Sequence, residues 1–406
     1  MYVDIEPTSL LDPQVIDRPY EFYRQLRDQA PVWEIPDTGI FTVSTFELLA
    51  EAASRVEDFS SNVSCLLFRS EAGLPCRLPL GDFGGQALAT ADPPVHALHR
   101  STVFPELVAK RMALLEPEIE AVADSCITEA LAAGATDFMT TVGNVIPITM
   151  ISRLIGFRDS DVAQLLAAAF DSTAMLSSTL SHDELVTLLG RSGEIQEWVA
   201  RQLSTALRDP QDDLLGAVAR GVDGGVFNEF EAVITLHTLL SAGGESTTSL
   251  LGNAVRLLAE HQDLQDDLRQ DPDGIVGFIE EALRLEPPFR YHLRTASHDT
   301  TIGGVDVPEG ATVLLLWGAA NRDQHMFEHP DEIDLDRKVP RRHVAFGRGI
   351  HHCVGAPLAR VEARAVLSTL LARTSRITLD TDHSPTWTNS LMVRRLDELP
   401  IRLIAS

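Results

Sequence analysis

Long apolar runs are missing from this chain of 406 residues: 44% of it is hydrophobic, yet no stretch reaches the roughly 18 to 20 uninterrupted apolar residues of a membrane span. The run from Val313 to Ala320 has the length of a buried strand. Basic residues are also scarce. The 33 Lys and Arg face 59 Asp and Glu, a net charge of −26, which argues against a general nucleic-acid binder because neutralising phosphate needs clustered cations. The 4 cysteines, Cys65, Cys76, Cys126 and Cys353, show no disulfide-scaffold spacing, and Cys65 and Cys76 are expected to be reduced. Met1 to Pro7 has neither a basic start nor an apolar core of the secretory kind, so a soluble cytoplasmic protein is expected. Length alone allows two or three domains, but no compositional break divides the chain.

What is there centres on Phe346-Gly347-Arg348-Gly349-Ile350-His351-His352-Cys353-Val354-Gly355. Gly349 and Gly355 flank Cys353 and let the backbone pass close to a ligand, and Phe346 can pack near the sulfur. The residues from Ala356 onward have helical composition, which places Cys353 ahead of a helix N-terminus, where backbone N–H groups favour a thiolate. Two other readings of the residues stand beside this one: an inert cysteine in a turn, and a zinc site with His351 and His352. Three adjacent residues cannot all converge on one small ion, and no second His/Cys cluster accompanies them.

The pattern F-x-x-G-x-x-x-C-x-G, here Phe346, Gly349, Cys353 and Gly355, resembles the haem-thiolate signature of the cytochrome P450 family. Further motifs follow that family's order. His96 and Arg100 lie four apart on one helical face, after Asp92-Pro93-Pro94, and are similar to the H-x-x-x-R pair that binds a haem propionate. Ala242, Gly243 and Glu245 resemble the oxygen-binding motif A-G-x-[DE]-T, with Ser246 where threonine is usual and Thr247 next to it. The motif sits in a stretch of about 31 residues from Glu231 to His261 that has no proline, roughly 46 Å long as a helix. Its glycine pair costs about 1 kcal/mol per residue in a helix, which points to a use: room for a flat ligand or bound diatomic. Glu281 and Arg284 match E-x-x-R, with Arg337 as third partner of a buried structural ion-pair network.

The resemblance implies a mainly α, helix-rich single domain over residues 1–406 with a small β region, holding haem b between the long helix and the Cys353 loop. It implies Cys353 as iron ligand, with His96, Arg100, Ala242, Gly243, Arg294, Phe346, His351 and Gly355 around the cofactor. Glu245, Ser246 and Thr247 are its proton-handling candidates. The expected activity is insertion of one atom of O2 into a hydrophobic small molecule, with electrons from an external ferredoxin and an NAD(P)H-dependent ferredoxin reductase. A peroxide-driven enzyme, oxidative coupling and a haem sensor without turnover stay open.

Residues 62–87 show no periodicity and carry scattered Gly and Pro, so an irregular loop capping the substrate pocket is expected, with Leu66, Leu67 and Phe68 as contacts. Phe289, Leu293, Leu391 and Met392 are the other pocket candidates. Arg341, Arg342 and Arg348, with a second group at Arg100, Lys110 and Arg111, are candidate docking cations for an acidic electron donor.

Overall fold

The computed structural model describes residues 5–70, 73–80, 86–338 and 340–406, and for 109–111, 113 and 340 the backbone alone. Readings at Met1 to Asp4 and at Gly81, Gly84 and Gly85, and those of the Lys110 and Arg111 side chains, lie outside the described residues.

The longest element is the helix Glu229–Glu260, 32 residues or about 48 Å. Its start is set by reciprocal capping: Asn228 Oδ1 accepts from Glu231 N at 2.8 Å, and Glu231 Oε2 accepts from Asn228 N at 2.8 Å. Around it pack the helices Val145–Ile155, Val162–Ala174, His182–Arg208, Gly274–Leu285 and Ala356–Arg373, which share one apolar core with it. Among the described residues there are 14 α-helices, and none is long and apolar enough to cross a membrane.

The β region is small. One sheet has the strand order Val32–Ile35, Ile40–Val43, Thr312–Leu315, His292–Ala296 and Phe59–Ser60, with Ile40–Val43 parallel to Thr312–Leu315. The expected strand from Val313 to Ala320 is therefore too long. It ends at Leu315, and Trp317–Ala320 turns into a short helix whose four residues are all buried. A continuous apolar run looks alike in either conformation.

One further expectation needs correction. The stretch from 62 to 87 is not wholly irregular: Cys65–Arg69 pairs antiparallel with Pro75–Pro79. Its prolines stand at the ends of the second strand, where a lost N–H donor costs least. Pro147 lies in the first turn of Val145–Ile155, where its missing N–H has no ladder partner to lose, so it breaks no helix. The break comes earlier, at the strand Ala135–Asp137, which pairs with Pro400–Ala405, and at the π-turn Met139–Gly143. All four cysteines are free.

Candidate active site

The Cys353 loop is held by its own backbone and by the Asn321 side chain. Val344 N donates to Asn321 Oδ1 at 2.7 Å, Gly347 N to Val344 O at 2.9 Å, and Cys353 N to Phe346 O at 2.9 Å. Gly347 (φ +69°) and Gly349 (φ +76°) adopt left-handed conformations that side chains disfavour. At Gly349 a Cβ would also stand 2.6 Å from the Ala53 carbonyl oxygen, which is backbone and cannot move aside. Gly349→Ala is thus expected to cost about 2 kcal/mol or more, from strain and clash together, read as a lower denaturation midpoint in urea.

Cys353 is exposed by area although its loop is densely surrounded. Burial pushes its thiol pKa up, while hydrogen bonds from the Gly355 and Ala356 backbone and the Arg100 and Arg360 guanidiniums pull it down. Those two backbone groups open the helix Ala356–Arg373, so the expected helix-terminus environment of the sulfur is present. A Cβ on Gly355 would lie 3.8 Å from Sγ, in ordinary van der Waals contact with it, so only a side chain longer than a methyl could crowd the sulfur.

Beside the loop is a knot of bases. The His96 and His351 rings are 4.2 Å apart, and both His96 and Arg294 are buried. Burial, with Arg294, His96, Arg100 and His292 adding to it, brings His351 down to about 3; burial brings Arg294 to about 10, opposed by Asp92. His351 Nε2 is buried with no hydrogen-bond partner among the described residues. A concentration of donors with so little negative charge fits an anionic ligand. With an adjacent soft sulfur donor, the residues present fit haem b, the sulfur toward iron and the bases toward its carboxylates. The zinc alternative finds no support: among the described residues no group of three or more His, Cys, Asp or Glu could hold a metal ion.

On the long helix, Ile234, Thr238, Ala242 and Ser246 form a half-buried row at four-residue spacing, while Leu239, Leu240, Gly244 and Glu245 are buried. The glycine pair serves a different purpose from the expected one. A Cβ at Gly243 would meet Ile151 at 2.7 Å, and one at Gly244 would meet Ile148 at 2.8 Å and Ala169 at 3.3 Å. Their missing side chains let neighbouring helices approach and do not make room for a ligand. The helix also runs through the motif without a break, although Ser246 Oγ donates back to Ala242 O at 2.6 Å, a contact that competes with the helix ladder.

Glu245 is buried with both oxygens taken: Arg395 Nε donates to Oε1 at 2.8 Å and Thr173 Oγ1 to Oε2 at 3.0 Å. Burial nevertheless raises its pKa, against the pull of Arg395. Sequence reasoning missed a second acid, Glu362, which is 1% exposed on the helix after Cys353. Neither of its oxygens has a partner within hydrogen-bond geometry among the described residues; Thr247 stands beside it and exerts a small downward pull. Burial lifts the Glu362 carboxyl well above the usual range. Folding then takes up a proton, so this group's contribution to stability falls as pH rises above the unfolded value of about 4.3 toward the folded one. Glu362→Gln should be more stable than the parent in urea titrations, by a margin that grows with pH across that window.

Glu281 accepts Arg284 through both oxygens at 2.8 Å and Arg337 at 2.9 and 3.2 Å, all three side chains being buried. Of the pocket candidates, Leu67, Phe289, Leu293, Leu391 and Met392 join one apolar cluster with Tyr291 and Leu176. Leu66 and Phe68 do not, since alternation along a strand sends them to the opposite face from Leu67. Arg341, Arg342 and Arg348 are exposed.

Comparison with known proteins bears on this arrangement. The family model for cytochrome P450 matches residues 193–397. The chain is 37% identical over 403 residues to cytochrome P450 144 of Mycobacterium tuberculosis, covering 99% of this chain and 92% of that protein. It is 31% identical over 402 residues to beta-dihydromenaquinone-9 omega-hydroxylase of Mycobacterium bovis, covering 98% and 78%. Its structure is similar to that of cytochrome P450 CREJ in complex with (4-ethylphenyl) dihydrogen phosphate, with TM-score 0.88, 28% identity, and 96% and 98% of the two chains covered. CYP109E1 from Bacillus megaterium in complex with testosterone gives TM-score 0.86 at 27% identity, over 96% and 99%. A helical fold around one long helix, a cysteine loop beside a knot of bases, and relatives matched over almost the whole length agree: the chain belongs to the cytochrome P450 family of monooxygenases, whose cofactor is haem b.

Proposed function

We propose that this P450, folded as a single domain over residues 1–406 and working in the cytoplasm, inserts one oxygen atom from O2 into a hydrophobic small organic substrate. Its electrons come from a separate ferredoxin and an NAD(P)H-dependent ferredoxin reductase. The observation that carries the reading is the Cys353 sulfur beside the Gly355 and Ala356 backbone donors, next to an anion-poor knot of His96, Arg100, Arg294 and His351. When bound, haem b supplies the redox-active iron that activates oxygen.

The chain's own groups do the rest. Cys353 would hold the iron as a thiolate, with Phe346 and Gly355 shaping its loop; Arg100 and Arg294 would neutralise the propionates, and the uncharged His96 and His351 would donate hydrogen bonds to them. Ala242, half-buried on the long helix, would leave room beside the bound cofactor because its side chain is a single methyl. Ser246 has its hydroxyl proton committed to Ala242 O, so its oxygen is free to accept a further hydrogen bond. Burial strengthens the hold of the Glu362 carboxyl on its proton, and Thr247, next to Ser246 in the chain, stands beside it. Glu245 must release Arg395 before it can carry a proton. The cluster containing Leu67, Phe289, Leu293, Leu391 and Met392 forms an apolar wall that excludes water from the substrate side. Arg341, Arg342 and Arg348 offer an exposed basic face for an acidic electron donor on an otherwise acidic protein.

The test is electron consumption. The reconstituted holoenzyme, supplied with ferredoxin, reductase and NADPH, is screened against hydrophobic compounds that perturb the haem spin state. Substrate-stimulated NADPH oxidation with oxygen incorporated into product supports the reading. Haem binding with no stimulated electron flow for any spin-state ligand would favour a sensor, and equal product from peroxide alone would favour a peroxygenase.

A further inference from the structure

Glu280 precedes the hub carboxylate Glu281 by one residue, but a helix turns about 100° per residue, so it faces a different part of the chain. It is 1% exposed. Arg360 donates to it twice, Nε to Oε1 at 2.6 Å and Nη2 to Oε2 at 2.9 Å; His343 Nε2 lies 2.9 Å from Oε2, and Arg341 Nε 3.7 Å from Oε1. Burial works to raise the Glu280 carboxyl, and the hydrogen bonds and charges of Arg360 and His343 overcome it and bring it to about 2. It is therefore anionic at neutral pH.

Its two principal donors flank the cysteine on opposite sides, His343 upstream and Arg360 downstream. Each goes on to touch the loop. His343 Nδ1 accepts from Ala345 N at 3.2 Å, so its Nε2 carries the proton given to Glu280. The Arg360 guanidinium lies 4.5 Å over the Phe346 ring, and the Phe346 carbonyl accepts the Cys353 N–H. Arg360 is also one of the charges acting on the sulfur itself.

We propose that Glu280 is a positioning residue for Cys353: one carboxylate clamps both flanks of the loop and thereby fixes the sulfur against the Gly355 and Ala356 donors and sets its electron donation to the cofactor. The proposal rests on Cys353 being the iron ligand. Loosening the clamp frees Arg360 from its place over Phe346 and lets the Cys353 backbone shift.

The experiment uses purified holoenzyme at a temperature where far-ultraviolet circular dichroism shows every variant fully folded. Glu280→Gln retains size and one acceptor but loses the charge. Its reduced, carbon monoxide-bound spectrum should show a several-fold larger short-wavelength fraction than the parent, and its reduction potential should rise. Arg360→Lys should do the same, and the double variant should go little further than either single one. His343→Gln provides the same test should Glu280→Gln not fold. Arg364→Gln, on the same helix but paired with Glu116, should leave both readouts at the parent value. Unchanged band and potential in folded Glu280→Gln, additive effects in the double variant, or an equal shift in Arg364→Gln would overturn the proposal. A parent enzyme without the long-wavelength band would instead overturn the assignment of Cys353.

Discussion

Cys353→Ser is expected to eliminate the long-wavelength band of the reduced, carbon monoxide-bound protein and to lower substrate turnover on the order of 10⁴-fold, the scale seen when an essential member of a catalytic unit is lost. The argument is one of charge. The Gly355 and Ala356 backbone, Arg100 and Arg360 all favour an anion at this position; burial outweighs them in the free thiol, and coordination to iron would complete the loss of its proton. An alcohol ionises too far above neutral pH for the same groups to make it an alkoxide, so the ligand becomes neutral and its push on iron disappears. The fold should survive, because a serine hydroxyl fits where the sulfur did. A variant that keeps the parent spectrum would show that Cys353 is not the ligand.

Glu281→Ala is expected to destabilise the fold by about 3 to 5 kcal/mol, the cost of breaking a buried ion pair by removing one partner. Here two guanidiniums, Arg284 and Arg337, lose the same acceptor, and both are buried. Each retains backbone carbonyls, Arg284 those of Asn321, Pro330 and Glu332 and Arg337 that of Glu328, so the loss should stay within that range. Urea denaturation monitored at neutral pH measures it. Acid should expose the same network. Burial opposes ionisation of Glu281, but Arg284 and Arg337 hold its pKa below the usual value, and Glu286, set against Arg394 and Arg256, falls to about 2. Carboxyls with depressed folded pKa contribute stability that is present above the unfolded value of about 4.3 and is lost as pH falls from there toward the folded value. The parent should therefore lose stability steeply below about pH 4, and Glu281→Ala should lose less over the same interval.

Elements with a local signature were legible in the sequence. A turn with Asp37 and Gly39 separates Val32–Ile35 from Ile40–Val43, and the pair Gly303 and Gly304 separates Thr300–Ile302 from Val305–Val307, signals that stand in the sequence itself. The strand Ala135–Asp137 was not legible, because its partner is at the C-terminus and nothing local announces the pairing. Glycines 243 and 244 were singled out correctly and explained wrongly, since their value depends on Ile148 and Ile151 of another helix. Glu280 and Glu362 read as ordinary helix acids. Only packing shows that one of them gathers three bases and that the other has no partner within hydrogen-bond geometry among the described residues.

The two rows of the long helix carry a lesson for redesigning the pocket. Ile234 and Thr238 share their half-buried row with Ala242 and Ser246, so a substrate screen of variants at these two positions tests whether that row faces the pocket. Substitutions at Gly243 or Gly244 would wedge the helix away from Ile151 and Ile148 and shift Ala242 and Ser246 together with it. The tightly packed line of this helix thus holds the position of Ala242 and Ser246, whatever side chains stand on the half-buried line beside it.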